Sequence, residues 1–368
     1  MHPSLLTKPR ANQPLTGGHV HIDMLKMSGP LEHYPTGDVI YRAAADSDSV
    51  DAVGVRPTKP KRGSHKKNDE IYHRSCDLHG DQLACAIEFR CCPPKALQGH
   101  NLFGHADIRA YAYAIFCQQT RRLGIQVRPE DRKDWASGLF GLTEVHLTAN
   151  FRCPPIQRNL IEAIAQNEVL HARDRLTSIT LGSTPNGRSV YHTVTVYSKY
   201  EELPSQWTKP DATQRRLMEL AKDSIRVEVK LHAQGLRTRD LHFGARWGDV
   251  DVDALFFEIL AKYNVVASIQ PMLTEDEKAM LPPRLRKTYV LWLNGEDPRT
   301  LLGKTSFSTH RREIKTLTGI DIGGARRPEA LSQVHSADIF SRENILAVPD
   351  WLYDTKHFRD PPLARGLM

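Results

Sequence analysis

The chain has 368 residues, of which 40% are hydrophobic and 25% charged, and this composition excludes a collagen, a coiled coil and a wholly disordered polypeptide. Its 50 Lys and Arg against 43 Asp and Glu give a net charge of +7, which suits a polyanionic partner, with nucleic acid ahead of an anionic membrane. No apolar stretch approaches the ~20 residues of a membrane span, and the N-terminus lacks the apolar segment of a signal peptide. We therefore expect a cytoplasmic protein with no membrane partner.

The cysteines include no Cys-x-x-Cys pair, which argues against both a disulfide framework and a zinc ribbon. We expect reduced thiols, several of them packed in the core. The six residues are Cys76, Cys85, Cys91, Cys92, Cys117 and Cys153.

The first half of the chain alternates strand-like and helix-like patterns. Residues 1–18 are predicted to be a flexible tail, and the stretch 46–69, which is poor in large apolar residues, is predicted to be an exposed loop. Alternation of apolar and polar residues predicts strands, whereas apolar residues at helical spacing predict helices. The strands are expected at 19–27, 83–91 and 141–151, and the helices at 107–123 and 156–170.

A hairpin is predicted in the middle of the chain. The strand-like runs 176–182 and 189–198 flank Asn186-Gly187, a dipeptide that favours tight turns between strands. The elements expected beyond it are a helix at 213–222, a strand at 224–232, and helices at 252–263, 275–280, 283–293 and 309–318. The predicted class is α+β, with an α+β domain over 19–245 and a smaller helical region over 246–368.

Six short segments carry a resemblance to a known family. The most distinctive reads QGHNLFG at 98–104, and it follows CCPPK at 91–95. The others are IDML at 22–25, TEVHLTANF at 143–151, YSK at 197–199, RVE at 226–228, and GKTSF at 303–307 with HRR at 310–312. Together and in this order they resemble the filamentous-phage replication initiators of the gene II and gene X family, over roughly residues 19–320.

The resemblance implies a rolling-circle initiator whose domain is an antiparallel-sheet, nickase-like fold. Such proteins nick one strand at a phage origin, leave a 3′-OH for the host polymerase, and later cut and join the displaced strand. The expected partners are therefore phage origin DNA, duplex and single-stranded, and the host helicase and polymerase machinery. The family is similar to nickases in which a divalent metal and a tyrosine lie on one sheet, so Mg²⁺ or Mn²⁺ is the expected cofactor.

Joining strands without an external energy source requires a covalent intermediate, and a tyrosine phenolate that attacks phosphorus provides one. Three candidates lie on or just after the second hairpin strand, namely Tyr191, Tyr197 and Tyr200. In a regular strand Tyr191, Tyr197 and Lys199 share a face, and Tyr200 points away. The match to the family's Tyr-x-Lys segment favours Tyr197 as the nucleophile, with Lys199 lowering its pKa or holding a phosphate. Packing of these tyrosines on the sheet is the alternative interpretation.

Carboxylates and a histidine on strand-like segments are the candidates for metal ligands. Glu144 and His146 are two residues apart and therefore share a strand face, which suits joint coordination. The family usually has Arg-x-Asp at this place, so Glu144-Val145-His146 departs from its pattern. Glu228, in the matching segment 226–228, and Asp23 complete the candidates. Arg226 shares the strand face of Glu228, and an ion pair between the two is the alternative role of that carboxylate.

Two further motifs receive less weight. His19-Val20-His21 has the spacing of the paired histidines of a large nickase superfamily, but it lies before the first matching strand, so metal binding by it is the less favoured interpretation. The run 302–305 suggests a phosphate-binding loop, yet Pro298 stands where that loop needs its first glycine. We expect instead that Ser306 or Ser308 caps the following helix.

Basic clusters are the candidates for DNA contact. They are Lys61, Arg62, Lys66 and Lys67 in the exposed loop, and Arg311 and Arg312 in the last predicted helix. Plain solvation of the loop and of the helix face is the alternative. The functional hypothesis is a site-specific DNA nickase with strand-joining activity. The competing hypothesis is an origin-binding protein without catalysis, which the departure at Glu144-Val145-His146 keeps open.

Overall fold

The structure is a computed structural model that describes residues 18–36, 39–43, 50–55, 71–78, 83–167, 177–182, 191–263, 265, 273–294, 296–318, 320–323, 336–353, 355–358 and 361. Its centre is a seven-stranded antiparallel sheet with the order β4-β5-β1-β6-β9-β8-β7, and β2 and β3 form a separate two-stranded ladder. The strands are β1 (His21–His33), β2 (Val39–Ala43), β3 (Val50–Val55), β4 (Tyr72–Leu78), β5 (Ala84–Cys91), β6 (Gly141–Arg152), β7 (Ser178–Leu181), β8 (His192–Tyr197) and β9 (Ser224–His232). The helices are α1 (Pro93–Gln98), α2 (Ile108–Arg122), α3 (Pro129–Ser137), α4 (Gln157–Asn167), α5 (Lys199–Gln206), α6 (Ala212–Lys222), α7 (Ala233–Thr238), α8 (Val252–Ala261), α9 (Glu275–Met280), α10 (Pro283–Leu293), α11 (Lys304–Thr318) and α12 (Ser336–Ile339).

One face of the sheet is apolar because successive side chains of a strand point to opposite faces. Leu147 and Ala149 on β6 lie beside Val227 and Val229 on β9, and all four are fully buried. The helices α2, α3, α4 and α8 pack on this face and complete the main core. Burial of apolar surface at roughly 25 cal/mol per Å² makes this layer the chief stabilising element of the fold.

The other face of the sheet is polar at its centre and is also covered. The covering layer consists of α5, α6, the loop 99–104 and the C-terminal residues 346–353 and 355–358, which share a second apolar cluster. Its fully buried members include Leu102, Leu203, Leu217 and Leu352. Because this layer lies over the polar face, charged side chains in the middle of the sheet are withdrawn from solvent.

The C-terminal helices fall into two groups. Helices α10 and α11 build a small core of their own from Leu285, Tyr289, Phe307 and Ile314, and α9, which has no buried residue, precedes them in the chain. By contrast, α8 and residues 339–345 belong to the core of the sheet. None of the helices in the described part of the chain is long and apolar enough to cross a membrane.

The predicted α+β class is confirmed, and β9, α9 and α10 begin and end at the predicted residues. Two local predictions are wrong. Residues 50–55, expected to belong to a loop, form β3, because pairing with β2 satisfies their backbone groups. Helix α11 begins at Lys304, so Ser306 and Ser308 lie inside its first two turns and do not cap it. All six cysteines are free thiols, as expected.

Candidate metal centre

Three candidate ligands meet on the polar face of the sheet. Asp23 lies on β1, His146 on β6 and Glu228 on β9, and the strand order makes these three strands direct neighbours. One ligand atom from each residue lies within 4.8 Å of the other two. Among the described residues, these three form the cluster whose side chains could together hold a metal ion. Three predicted ligand candidates, far apart in sequence, are therefore brought together by strand pairing.

Asp23 lies at a local irregularity of β1. The register between β1 and β6 shifts between Ile22 and Met24, so that His21 lies opposite Thr148 and Met24 opposite His146. Thr148 is in turn opposite Glu228, and alternation from His21 places Asp23 on this same polar face. The carboxylate of Asp23 lies beside His146 and Glu228.

Both ring nitrogens of His146 are bonded to carboxylates. Nε2 lies 2.7 Å from Oε1 of Glu144, and Nδ1 lies 2.5 Å from Oε1 of Glu228. Burial lowers the pKa of His146, but the charge of Glu228 and the two hydrogen bonds outweigh it, so the pKa is raised. Glu144 and Glu228 are themselves buried, which raises a carboxyl pKa, yet His146 brings the pKa of both below the usual range. Glu144 also binds Arg90 at 3.0 Å and lies outside the group of three.

Asp23 is surrounded by donors. Its Oδ1 accepts hydrogen bonds from Nδ2 of Asn101 at 2.7 Å and Sγ of Cys92 at 3.2 Å, and lies 3.1 Å from Nη2 of Arg226. Burial raises the pKa of Asp23, but Arg226, Lys199 and the Asn101 hydrogen bond outweigh it and hold the pKa well below its usual range. Asp23 is thus a permanent carboxylate in the interior.

The expected alternative pairing of Arg226 is corrected by these contacts. Pairing of Arg226 with Glu228, its neighbour on the same strand face, was the alternative to metal binding by Glu228, whereas the ion pair of Arg226 is formed with Asp23. The reason is that Glu228 is bonded to His146 across the β6–β9 ladder. Glu228 is therefore bonded to the ring of His146, and a metal ion held by both residues would take the place of the ring proton between them.

Several buried polar atoms around the three ligands have no hydrogen-bond partner. They include Nε2 of His21, Oγ1 of Thr148, Oδ1 of Asn101 and Nε of Arg226. Thr148 lies opposite Glu228 in the β6–β9 register and opposite His21 in the β1–β6 register. Unpaired buried groups are rare in native proteins and mark places where water or an ion binds. Two carboxylates and one imidazole, with neutral oxygens nearby, fit Mg²⁺ or Mn²⁺.

Tyr197 lies next to this group at the end of β8. It is opposite Arg226 in the β8–β9 register, two pairs along from Thr195 and Glu228. The guanidinium carbon of Arg226 is 6.0 Å from the centre of the Tyr197 ring. Burial raises the pKa of Tyr197 well above its usual value, and the charge of Arg226 acts in the opposite direction. The phenol is therefore neutral, and its ionisation requires an additional positive charge.

The prediction that Lys199 shares the strand face of Tyr197 is wrong. β8 ends at Tyr197, Ser198 is the extended residue before the helix, and Lys199 is the first residue of α5. Its fully buried amine lies 2.6 Å from Oε2 of Glu202, one helical turn ahead. Burial and Arg226 lower the pKa of Lys199 to about 8. This i,i+3 ion pair adds roughly 0.2–0.5 kcal/mol to the first turn of α5.

The other tyrosine candidates lie elsewhere. Tyr191 precedes β8, is 49% exposed, and accepts the backbone hydrogen bond of His232 at the far end of the ladder. This end is roughly 20 Å from Tyr197, at about 3.3 Å per residue. Tyr200 lies in α5 and packs against the second apolar cluster.

The paired histidines flank the site. Nε2 of His19 lies 3.0 Å from the backbone oxygen of Gly104, and the buried His21 is close to Asp23 in the chain without joining the group of three. Burial and Arg226 lower the pKa of His21 well below its usual value, so its ring is neutral.

The DNA-contact candidates divide into two sets. Lys61, Arg62, Lys66 and Lys67 lie outside the described residues. In α11, Nε and Nη2 of Arg311 bind the two carboxylate oxygens of Asp321 at 2.5 and 2.9 Å. Arg312 is exposed on the same helix.

The sequence did not assign a role to Asn101 or Cys92, although both touch Asp23. Asn101 lies in the distinctive QGHNLFG segment, and Cys92 in the CCPPK run before it. The sequence therefore marked both residues as parts of a motif, but it did not show that they contact Asp23 on β1.

Comparison with known proteins supplies the family. Residues 22–249 match the N-terminal family of the phage replication-associated protein of the gene II type. The replication-associated protein of the same type from Enterobacteria phage I2-2 is 25% identical over 308 residues, covering 82% of this chain and 87% of that protein. No solved structure matches the chain. These matches confirm the expectation of a rolling-circle replication initiator, and the chain belongs to the family of phage replication-associated proteins of the gene II type.

Proposed function

We propose that the chain is a metal-dependent nickase that cuts one strand at a phage origin and rejoins the displaced strand. The observation that carries this proposal is the convergence of Asp23, His146 and Glu228 from three adjacent strands within 4.8 Å, beside the tyrosine at the end of β8. Asp23 and Glu228 would hold Mg²⁺ or Mn²⁺ through oxygen and His146 through nitrogen. The bound ion would polarise the scissile phosphate and offset charge that develops during the reaction.

Tyr197 is the proposed nucleophile. Its phenolic oxygen, on losing its proton, forms a bond to phosphorus while the bond from phosphorus to the 3′ oxygen breaks. The 3′ oxygen leaves as a hydroxyl after taking up a proton, and the 5′-phosphate stays on the tyrosine. Later attack by a 3′-OH on this phosphotyrosine forms the new phosphodiester and returns the phenol. The strands are joined with no further energy source.

Two buried cations support this chemistry. Arg226 lies opposite Tyr197 and is the charge that acts against burial to favour the phenolate. Lys199 is bonded to Glu202, and its charge lowers the pKa of both Glu202 and Asp23. Lys199 thus helps to keep Asp23 ionised for the metal.

Origin DNA is the proposed macromolecular partner, in duplex and single-stranded form, and the host helicase and polymerase would use the nicked product. The excess of basic residues predicts affinity that falls with salt, with a slope of about −0.9 per neutralised phosphate on duplex DNA. Replacement of Lys61, Arg62, Lys66 and Lys67 by Ala would flatten that slope if these residues contact phosphates.

The test is incubation of the purified protein with supercoiled origin plasmid. Open circles should form with Mg²⁺ or Mn²⁺ and not with EDTA, and a plasmid without the origin should stay supercoiled. Cleavage that is equal with EDTA would contradict the metal centre. Origin binding without any cleavage would support the competing hypothesis of a non-catalytic origin-binding protein.

A further inference from the structure

The QGHNLFG segment forms a loop that lies over the polar face of the sheet. Nε2 of Gln98 donates to the backbone oxygen of Phe103 at 2.8 Å, which closes the loop on itself. Nδ2 of Asn150, on β6, donates to the backbone oxygen of Leu102 at 2.5 Å, which fastens the loop to the sheet. Nε2 of His100 lies 2.6 Å from the backbone oxygen of His357 in the covering C-terminal segment.

Asn101, at the centre of this loop, touches two charged residues at once. Its side-chain nitrogen Nδ2 donates to Oδ1 of Asp23 at 2.7 Å. Its backbone oxygen accepts from Nη1 of Arg226 at 2.6 Å. Asn101 is 4% exposed, so both contacts are made away from solvent. One residue therefore fixes the position of a candidate ligand and of the cation that pairs with it.

The donors around Asp23 all act on one of its two oxygens. Asn101 and Cys92 donate to Oδ1, and Nη2 of Arg226 forms an ion pair with the same oxygen at 3.1 Å. No residue in the described ranges donates a hydrogen bond to Oδ2. An arginine usually meets a carboxylate with two parallel bonds, one to each oxygen. Here the backbone oxygen of Asn101 takes one of the guanidinium donors, and the amide of Asn101 occupies Oδ1.

We propose that Asn101 is a positioning residue of the metal centre, which holds Asp23 so that Oδ2 is available to the ion. Without the amide, Asp23 can turn and meet Arg226 through both oxygens, and a metal ion then has to compete with the guanidinium. This inference rests on the proposed metal centre. On this view the QGHNLFG loop prevents Arg226 from bonding to both carboxylate oxygens of Asp23.

The test compares Mn²⁺ affinity in two folded variants, measured by calorimetry and by electron paramagnetic resonance of the bound ion. Asn101→Ala removes the donor on Asp23, and we expect it to weaken Mn²⁺ binding about 10- to 100-fold, the usual effect of losing a residue that orients a ligand. Asn150→Ala is the matched control, because it removes a buried amide bonded to the same loop without touching Asp23. We expect it to change the affinity less than about 3-fold. If Asn101→Ala does not fold, Asn101→Ser replaces it.

A double-mutant cycle with Asp23→Asn shows whether Asn101 acts through Asp23. We expect Asn101→Ala to have almost no further effect on Mn²⁺ binding in the Asp23→Asn background. An equal loss in both backgrounds, equal losses in Asn101→Ala and Asn150→Ala, or wild-type affinity in Asn101→Ala would each overturn the positioning role. Absence of Mn²⁺ binding to the wild type would overturn the metal centre and this inference together. If Asp23→Asn does not fold, the comparison of Asn101→Ala with Asn150→Ala decides.

Discussion

Two parts of the molecule use the same charged residue types in opposite ways. On the polar face of the sheet, Arg226 is fully buried and its partner Asp23 is 6% exposed. In the helical part formed by α9, α10 and α11, the side chain of Arg311 is 48% exposed and binds Asp321, whose side chain is 21% exposed. Both are Arg–Asp pairs with short contacts, but only the first is withdrawn from water.

The difference in burial between the two ion pairs indicates which region has a chemical function. Taking an ion pair out of water costs several kcal/mol per ion, roughly, and this is offset only when further hydrogen bonds complete the site. The exposed pairs of the helical part, such as Arg284 with Glu313 at 2.5 Å, carry no such cost and add roughly 0–1 kcal/mol each. Buried charge concentrated around Asp23, His146 and Glu228 is therefore the stronger indication of function.

The largest expected effect on cleavage comes from changing Tyr197 at the end of β8. Tyr197→Phe keeps the ring that packs beside Arg226 and removes only the hydroxyl, so we expect an intact fold and cleavage reduced by more than about 1000-fold. Tyr191→Phe is the exposed counterpart and should cut at the wild-type rate. Gel assays of plasmid nicking measure the cleavage rates of both variants. Normal nicking by Tyr197→Phe would show that another tyrosine is the nucleophile.

Replacing a carboxylate by an amide in each of the two regions tests the same difference between buried and exposed charge. Glu228→Gln keeps the shape of the side chain and removes the charge that would bind the metal, so we expect cleavage to fall about 100-fold while origin binding persists. Glu313→Gln, in the helical part, changes an exposed carboxylate and should leave cleavage unchanged. Nicking rates and origin-binding assays together give the result. Equal rates for the two variants would show that Glu228 is not a ligand.

The two Arg–Asp pairs should differ in their effect on stability. Asp23→Asn leaves Arg226 buried without its closest counter-charge, and we expect a loss of about 3–5 kcal/mol in the free energy of unfolding. Asp321→Asn leaves an exposed arginine that water can solvate, and the loss should be below about 1 kcal/mol. Urea denaturation of both variants measures the difference. Losses of similar size would mean that burial does not separate the two regions.

A smaller and pH-dependent effect is expected at Lys199. Burial and Arg226 lower its pKa to about 8 in the folded chain, from 10.5 in the unfolded chain. The unfolded chain then binds the proton more tightly, so the charge of Lys199 opposes folding fully below pH 8 and ceases to do so as the pH approaches 10.5. Lys199→Met should therefore stabilise the protein by about 3 kcal/mol at pH 7, and the gain should shrink above pH 8. A gain independent of pH would point to packing alone.

The sequence predicts local structure here better than it predicts the site. Alternation along 224–232 is sufficient to place β9, because that pattern depends on neighbouring residues only. Strand order is different, since the meeting of β1, β6 and β9 depends on pairings between residues more than 70 positions apart. For this reason Glu228 and His146 could be named, whereas the pairing of Arg226 with Asp23 could not.

Two details of the site depend on backbone irregularities that periodicity does not reveal. The register shift beside Asp23 sets which residue of β6 each later residue of β1 faces, and no pattern in the sequence marks this shift, although alternation from His21 does direct Asp23 to the polar face. Lys199 was placed on a strand because the sequence pattern of β8 continues unbroken up to Ser198. The chain turns into α5 directly after Ser198, which is at the N-cap position with Glu201 three residues later, the spacing of a helix start. The role of Asn101 likewise depends on a loop that crosses the sheet.

The most direct measurement is the anomalous scattering of a crystal of this protein soaked in Mn²⁺. We predict one strong peak on the polar face of the sheet, within about 2.5 Å of a carboxylate oxygen of Asp23, a carboxylate oxygen of Glu228 and a ring nitrogen of His146. A soaked crystal of Glu228→Gln should lack that peak. A wild-type crystal with no manganese among these three residues, and with manganese bound elsewhere, would contradict the metal centre.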